Sequence, residues 1–193
     1  MNVSVTLSNY RKQLEELEKK QEKAIQSAVN DCKSRAPAQV TKTVTAAYGI
    51  KAGEVTAAGK AAKGGAKTAG SIKIDGVAIN TIQLTYKGRV LTPSHFSMTP
   101  KQRPEGGRKY TVKAEITKGK KKRLGTGTFL APGGGTSEIP FRRQTAKRLP
   151  IDAIRTVSIP QMITNEQNAA LISERINELL QERVAHQVDR MNK

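Results

Sequence analysis

Apolar positions in the first thirty residues recur in alternating steps of three and four. Leu7, Tyr10, Leu14, Leu17, Gln21, Ala24 and Ala28 thereby share one face of a helix. Ser8 or Asn9 supplies an N-cap. Glu15–Lys19 and Glu16–Lys20 stand one turn apart on the wet face, acid first, which is the favourable order. Such a helix either docks on a core or forms a seam against a neighbouring subunit. Pro37 is expected to end or bend it. A shorter helix over 38–47 would follow, stopped by Gly49. Residues 51–71 are Lys, Ala, Gly and Thr with almost no bulky apolar group, so a loop or arm is expected there, carrying Lys51, Lys60, Lys63 and Lys67.

From Ser71 the period falls to two. Ile72 and Ile74 alternate with Lys73; Ile82, Leu84 and Tyr86 alternate with polar neighbours on the expected core side of a second strand. Residues 92–108 hold Pro93, Pro100, Pro104, Gly106 and Gly107 and read as a long loop. Tyr110, Val112, Ala114 and Ile116 mark a strand, 118–123 a basic turn, 125–130 a return strand, Gly133 to Gly135 a second turn, and 139–143 a further strand. Residues 150–163 read as extended apolar chain punctuated by Pro150 and Pro160. Thr164 or Asn165 then caps a last helix with acids in its first turn. Its stripe, Ile172, Ile176, Leu180, Val184 and Val188 with Leu179 beside it, is broad enough to pack on a sheet. The expected fold class is α+β, an antiparallel β-sheet meander flanked by a long N-terminal helix and a C-terminal helix. One domain is expected in four parts: a helical region over 1–50, a basic loop or arm over 51–71, a β core over 72–165, and the C-terminal helix over 166–193.

Charge changes this picture most. The net charge is +18, yet residues 1–32 are balanced at five basic and five acidic groups, and 166–193 carry four basic and five acidic. The middle, 33–165, holds 25 basic against 6 acidic groups, so the whole excess lies there. Partners with dense negative charge are implied. Lys118, Lys120, Lys121, Lys122 and Arg123 form one cluster, Arg142, Arg143, Lys147 and Arg148 a second, and Lys101, Arg103, Arg108 and Lys109 a third. These suit phosphate contacts, which give affinity without reading sequence. With aromatics at 4% and no Trp, platforms for stacking unpaired bases are scarce.

Catalysis has little to stand on. His95 and His186 have no acid–base or metal spacing, and Cys32 sits beside the apolar stripe as a small packed side chain. No Cys/His set for zinc is present. Gly125-Thr126-Gly127 and Gly133 to Gly135 fall between strands, where tight turns explain them better than phosphate loops. The expectation is no catalytic residue, no metal and no cofactor. The single cysteine precludes an internal disulfide. No apolar run nears the roughly 18 residues of a membrane span, and the start of the chain lacks a signal-peptide layout, so cytoplasmic synthesis and no membrane partner are expected.

One stretch carries a resemblance. Thr-Phe-Leu-Ala-Pro-Gly-Gly-Gly from Thr128, the strand Ile-Pro-Phe-Arg-Arg, a basic linker, Arg-Leu-Pro-Ile-Asp-Ala-Ile, and Ser-Ile-Pro-Gln-Met-Ile to Ile163 follow in order. This pattern resembles the prophage minor tail protein Z family of lambda-like phages, with Phe141, Arg142, Arg143, Arg148, Pro150, Ile151, Ser158, Ile159 and Pro160 as matching positions. The resemblance implies a structural tail-completion protein at the head-proximal end of a long non-contractile tail. Expected partners are the tail terminator, tail tube and head-completion proteins, with genomic DNA in the lumen of a homo-oligomeric ring, a hexamer by analogy. Pro150 and Pro160 would shape backbone, the basic clusters would face DNA or partner, and the two apolar helix stripes would pack subunits or core. A cellular nucleic-acid-binding protein, ribosome- or nucleoid-associated, is the alternative that charge alone supports.

Overall fold

The structure, a computed structural model, describes residues 4–60, 71–78, 81–134 and 137–191; side chains are described outside 4–11, 59–60, 71–78 and 81–87. Lys63 and Lys67 of the expected arm, Gly135, and the side chains of Leu7, Tyr10, Ile82, Leu84 and Tyr86 lie outside that description.

Helix α1 runs unbroken over Ser4–Ala47 with Pro37 inside it. The expected break at Pro37 does not occur. Proline removes one helical donor and crowds the preceding turn, but burial on both sides holds the helix together. Ala28, Cys32, Ala36, Val40 and Val44 are buried at steps of four. Of the described side chains in the expected stripe only Ala28 is buried, and the buried face runs on from it toward the C-terminal end. Lys12 to Lys23 are all exposed, including Leu14 and Leu17. Of the two expected uses, core or subunit packing, these two leucines do not serve the chain's own core.

What covers α1 is helix α4, Glu166–Met191, which runs antiparallel along it. Arg175 Nη1 donates to Thr43 Oγ1 at 2.8 Å near one end and Gln187 Nε2 to Asp31 Oδ2 at 3.3 Å near the other. Helix–helix packing therefore replaces the expected docking of the C-terminal helix on a sheet, and Ile172 and Leu179 are buried by it. Ile176 and Leu180 are partly buried.

Where a loop was expected after Gly49, Ala52–Lys60 forms α2, anchored by buried Val55 and Ala58. Those two small side chains supply enough apolar contact to hold one short helix. The strands β1 (Ser71–Ala78) and β2 (Thr81–Lys87) pair antiparallel with Ile72 opposite Tyr86 and Ile74 opposite Leu84.

The remaining strands divide into two three-stranded antiparallel sheets, so the meander is not one sheet. The first is β3 (Ser97–Thr99), β4 (Lys113–Thr117) and β5 (Lys120–Arg123). The second is β6 (Thr128–Pro132), β7 (Glu138–Arg143) and β8 (Ile151–Ala153). Two expectations change here. The loop over 92–108 contributes β3, and most of the basic turn over 118–123 is the edge strand β5. Only Lys118 and Gly119 turn, with Gly119 at φ 75°. A third change concerns 150–163. Ile159–Thr164 forms helix α3 because Ser158 and Gln161 make a reciprocal capping box, and Pro160 stands in the first turn, where no intrahelical donor is missed. Asn168 is buried and its amide donates to Met162 O at 2.7 Å, closing the α3–α4 turn.

Two buried clusters organise these elements. The larger joins Val40 and Val44 of α1, Val55 of α2, Phe96, Met162 of α3 and Ile172 of α4. The smaller joins Met98, Val112, Ala114 and Leu130, so it lies between the two sheets. Each large apolar side chain fully buried this way contributes about 1.5–3 kcal/mol. The Tyr110 hydroxyl accepts from Leu130 N at 2.9 Å and ties the sheets at that core.

The junction between helices and sheets is tight. Beyond Ala47 the chain runs extended, with Tyr48 bridged to Thr117 and Ile50 to Phe96. Gly49 N donates to Ile116 O at 2.9 Å, and a Cβ on Gly49 would stand 2.0 Å from Glu115 O. Gly49 follows the helix as expected, but close backbone approach, and not helix stopping, is what requires a glycine there.

Candidate functional site

The sheets rest on the C-terminal end of α1, and the β4–β5 turn closes that end. Lys118 N donates to Ala47 O at 3.0 Å and its Nζ to Thr45 O at 3.0 Å. A cation at a helix C-terminus meets the negative end of the helix dipole. Lys118 thus anchors the turn that presents its neighbours. The turn is locked from within by Glu115 Oε1, which accepts from Gly119 N at 2.8 Å.

β5 pairs only with β4, so it is a sheet edge, and all four of its side chains are exposed. Register places Arg123 opposite Lys113 and Lys122 opposite Ala114. Lys122 therefore shares the side of buried Ala114, while Arg123 and Lys113 share the outer side. Lys121 Nζ donates to Thr99 Oγ1 on that outer side. The result is a narrow strip of basic groups across one sheet face. Lysines on an edge strand also discourage sheet-to-sheet pairing.

The second cluster lies on the other sheet. Arg142 and Arg143 end β7, and Lys147 and Arg148 stand in the exposed connection to β8. Register pairs Arg142 with Asp152 and Arg143 with Ile151. The Arg143 guanidinium lies 5.5 Å from the centre of the Phe129 ring, and Phe129 stacks on Phe141 at 6.2 Å. Pro150 follows a cis peptide bond after Leu149, and Pro160 opens α3. The third cluster, Lys101, Arg103, Arg108 and Lys109, is exposed in the connection between β3 and β4.

The electrostatic character follows from where the acids go. Glu115 accepts a backbone N–H, Glu138 accepts Arg103 N, Asp152 accepts the Gln144 amide, and Glu54 faces His95 at 3.3 Å. The middle of the chain has six carboxylates, and these four hold backbone, amide or imidazole. Among the described residues no carboxylate forms an ion pair with any of the basic residues 118–123 or 142–148. Apart from Lys118, whose amine caps α1, these cations are exposed and have no carboxylate partner among the described residues. This was only half legible in sequence: the excess was countable, the diversion of the acids was not.

Little else invites chemistry. Cys32 is buried, its thiol 3.8 Å from Ile176 O, and burial pushes its pKa up, away from a reactive thiolate. Among the described residues no three His, Cys, Asp or Glu side chains gather as a metal site. No helix among them is long and apolar enough to cross a membrane.

A helical hairpin of balanced charge carries two small sheets whose exposed cations have no carboxylate partner among the described residues, an α+β architecture with one strongly basic region. The chain belongs to the prophage minor tail protein Z family: the family model matches residues 7–193, nearly the whole length. It therefore has a structural role in a phage tail. No curated protein matches, and no solved structure does.

Proposed function

We propose that this protein is a tail-completion component at the head-proximal end of a long non-contractile tail, part of the junction through which DNA passes. The observation that carries the reading is the pair of exposed basic clusters at 118–123 and 142–148, none of whose members is ion-paired to a carboxylate among the described residues. A DNA path needs such a surface, since phosphate contacts bind without regard to sequence. The balanced helical hairpin suits protein–protein packing. In this reading subunits form a ring around the path, and the tail terminator, tail tube and head-completion proteins are its neighbours. The role is structural and not enzymatic, and the protein resides in the virion.

The cellular nucleic-acid-binding alternative draws on the same charge, but family membership weighs for the phage. The test is replacement of Lys120, Lys121, Lys122 and Arg123 by Gln in the producing phage. Assembled heads and tails should persist while joined, DNA-retaining particles fall. Normal joining and retention would overturn the assignment of this cluster. Normal infectious particles without the protein would overturn the reading itself.

A further inference from the structure

Two apolar surfaces lack cover among the described residues, and they lie at opposite ends of α1. The first is on the overhang. A shallow groove lined by Lys20, Ala24, Gln187 and Met191 marks where α4 ends beside α1. Beyond it, Leu14 is 59% and Leu17 49% exposed, one turn apart, with exposed Glu15, Glu16 and Glu18 around them. Leu14 lies on the same side of the helix as Cys32, five turns on. The leucines therefore continue the stripe that α4 covers from Ala28 onward.

The second is the outer face of the β6–β7–β8 sheet. The inner face buries Leu130 and Pro140. Register puts Phe129, Phe141 and Ala153 abreast on the other face, with Arg143 opposite Ile151 beside them. All three apolar side chains are only partly buried, and neither phenylalanine packs in either buried cluster of the described residues. Exposed Arg143 stands on this face, and exposed Lys147 and Arg148 follow in the connection to β8, whereas register turns Arg142 to the side of Pro140.

We infer that the Leu14–Glu18 segment of one copy docks on the outer face of the β6–β7–β8 sheet of a second copy. Apolar fits apolar, and charge fits charge: Glu18 flanks the leucines on the helix, and Arg143 stands on the sheet face with Lys147 and Arg148 beyond it. One chain cannot join the two surfaces itself. Thirty residues of helix separate Leu17 from the end of α1, about 45 Å, and the sheets sit at that far end. The contact is head-to-tail, each copy offering a different surface to each neighbour, so repetition gives a ring where the rotation closes. This inference rests on the oligomeric tail-component reading and deepens it. It assigns Arg143, Lys147 and Arg148 to subunit contact and leaves the strip on β5 for DNA.

Sedimentation velocity on the full-length protein and two variants tests it. The helix variant is Leu14→Lys with Leu17→Lys; the sheet variant is Arg143→Glu with Lys147→Glu. All four positions are exposed, and circular dichroism checks that both variants keep the wild-type fold. Wild type should form species larger than dimers. Each variant alone should associate about tenfold or more weakly. An equimolar mixture should stop at dimers, because every pair then has one intact contact and one dead one. Adding Glu18→Lys to the sheet variant should restore larger species in part. A monomeric wild type would overturn the second copy as occupant, and a mixture without dimers would overturn the pairing. Variants that assemble like wild type would overturn the docking while leaving the ring and the tail role standing.

Discussion

At the scale of single residues, backbone proximity decides more than side-chain chemistry. Gly49 is the clearest case, because the missing Cβ makes room for the Glu115 carbonyl. Gly49→Ala is expected to cost at least about 2 kcal/mol, since relief requires moving β4 off the chain that follows α1; urea denaturation reads the loss. An unchanged midpoint would show that the junction is slack. Cys32 makes a contrasting prediction. Burial raises its pKa, so the folded state holds the proton more tightly than the unfolded chain does. Its contribution to stability is complete below the unfolded thiol pKa of about 8.5 and is lost as pH rises toward the raised folded value. Thiol labelling at neutral pH should therefore follow unfolding, and rapid labelling of the native protein would contradict the burial. Lys118 shows the limit of reading charge alone. It counts with the basic cluster in sequence, yet its amine holds the last turn of α1.

At the scale of elements, the legible parts were those with a hydrophobic period. Alternation found β1, β2, β4 and β7 to within a few residues, and steps of three and four found α1 and α4. The failures have separate physical causes. β5 is four exposed cations, so no apolar alternation could announce it; its order comes from pairing with β4. α3 was hidden by Pro160, although the Ser158 and Gln161 spacing was a capping-box signal in plain view. α1 passes Pro37 because α4 and the larger cluster hold it on both sides, a tertiary cause that propensity cannot report. The candidate site was legible as charge, but it takes register and burial to place Phe129 and Phe141 on an outer face. The capping box itself is testable. Ser158→Ala removes the acceptor for Gln161 N, and should lower stability by about 1 kcal/mol. The effect is local, so thermal unfolding should shift while the near-ultraviolet signature of the folded state stays.

At the scale of the whole molecule, charge and shape divide the labour. The sheets hold exposed basic groups at one end of α1, and the overhang holds exposed leucines at the other. Folding and assembly should then separate cleanly under mutation. Deleting residues 2–19 removes a stretch whose described side chains, Lys12 to Lys19, are all exposed. It should leave the unfolding midpoint within a few degrees of wild type, because α4 reaches α1 only from about Lys20 onward. The same deletion should abolish self-association. Duplex DNA binding by the deleted form should keep its steep decline with salt, because the cations at 118–123 remain. Neutralising Lys120, Lys121, Lys122 and Arg123 should do the reverse: association is retained, and the salt slope becomes shallower by about 0.9 for each phosphate that the protein ceases to neutralise. The two variants together form a double dissociation. If deletion of the overhang flattened the salt slope, DNA would be held by the assembled ring as a unit and not by the strip on each β5. If charge neutralisation dispersed the oligomer, the strip would belong to the subunit contact.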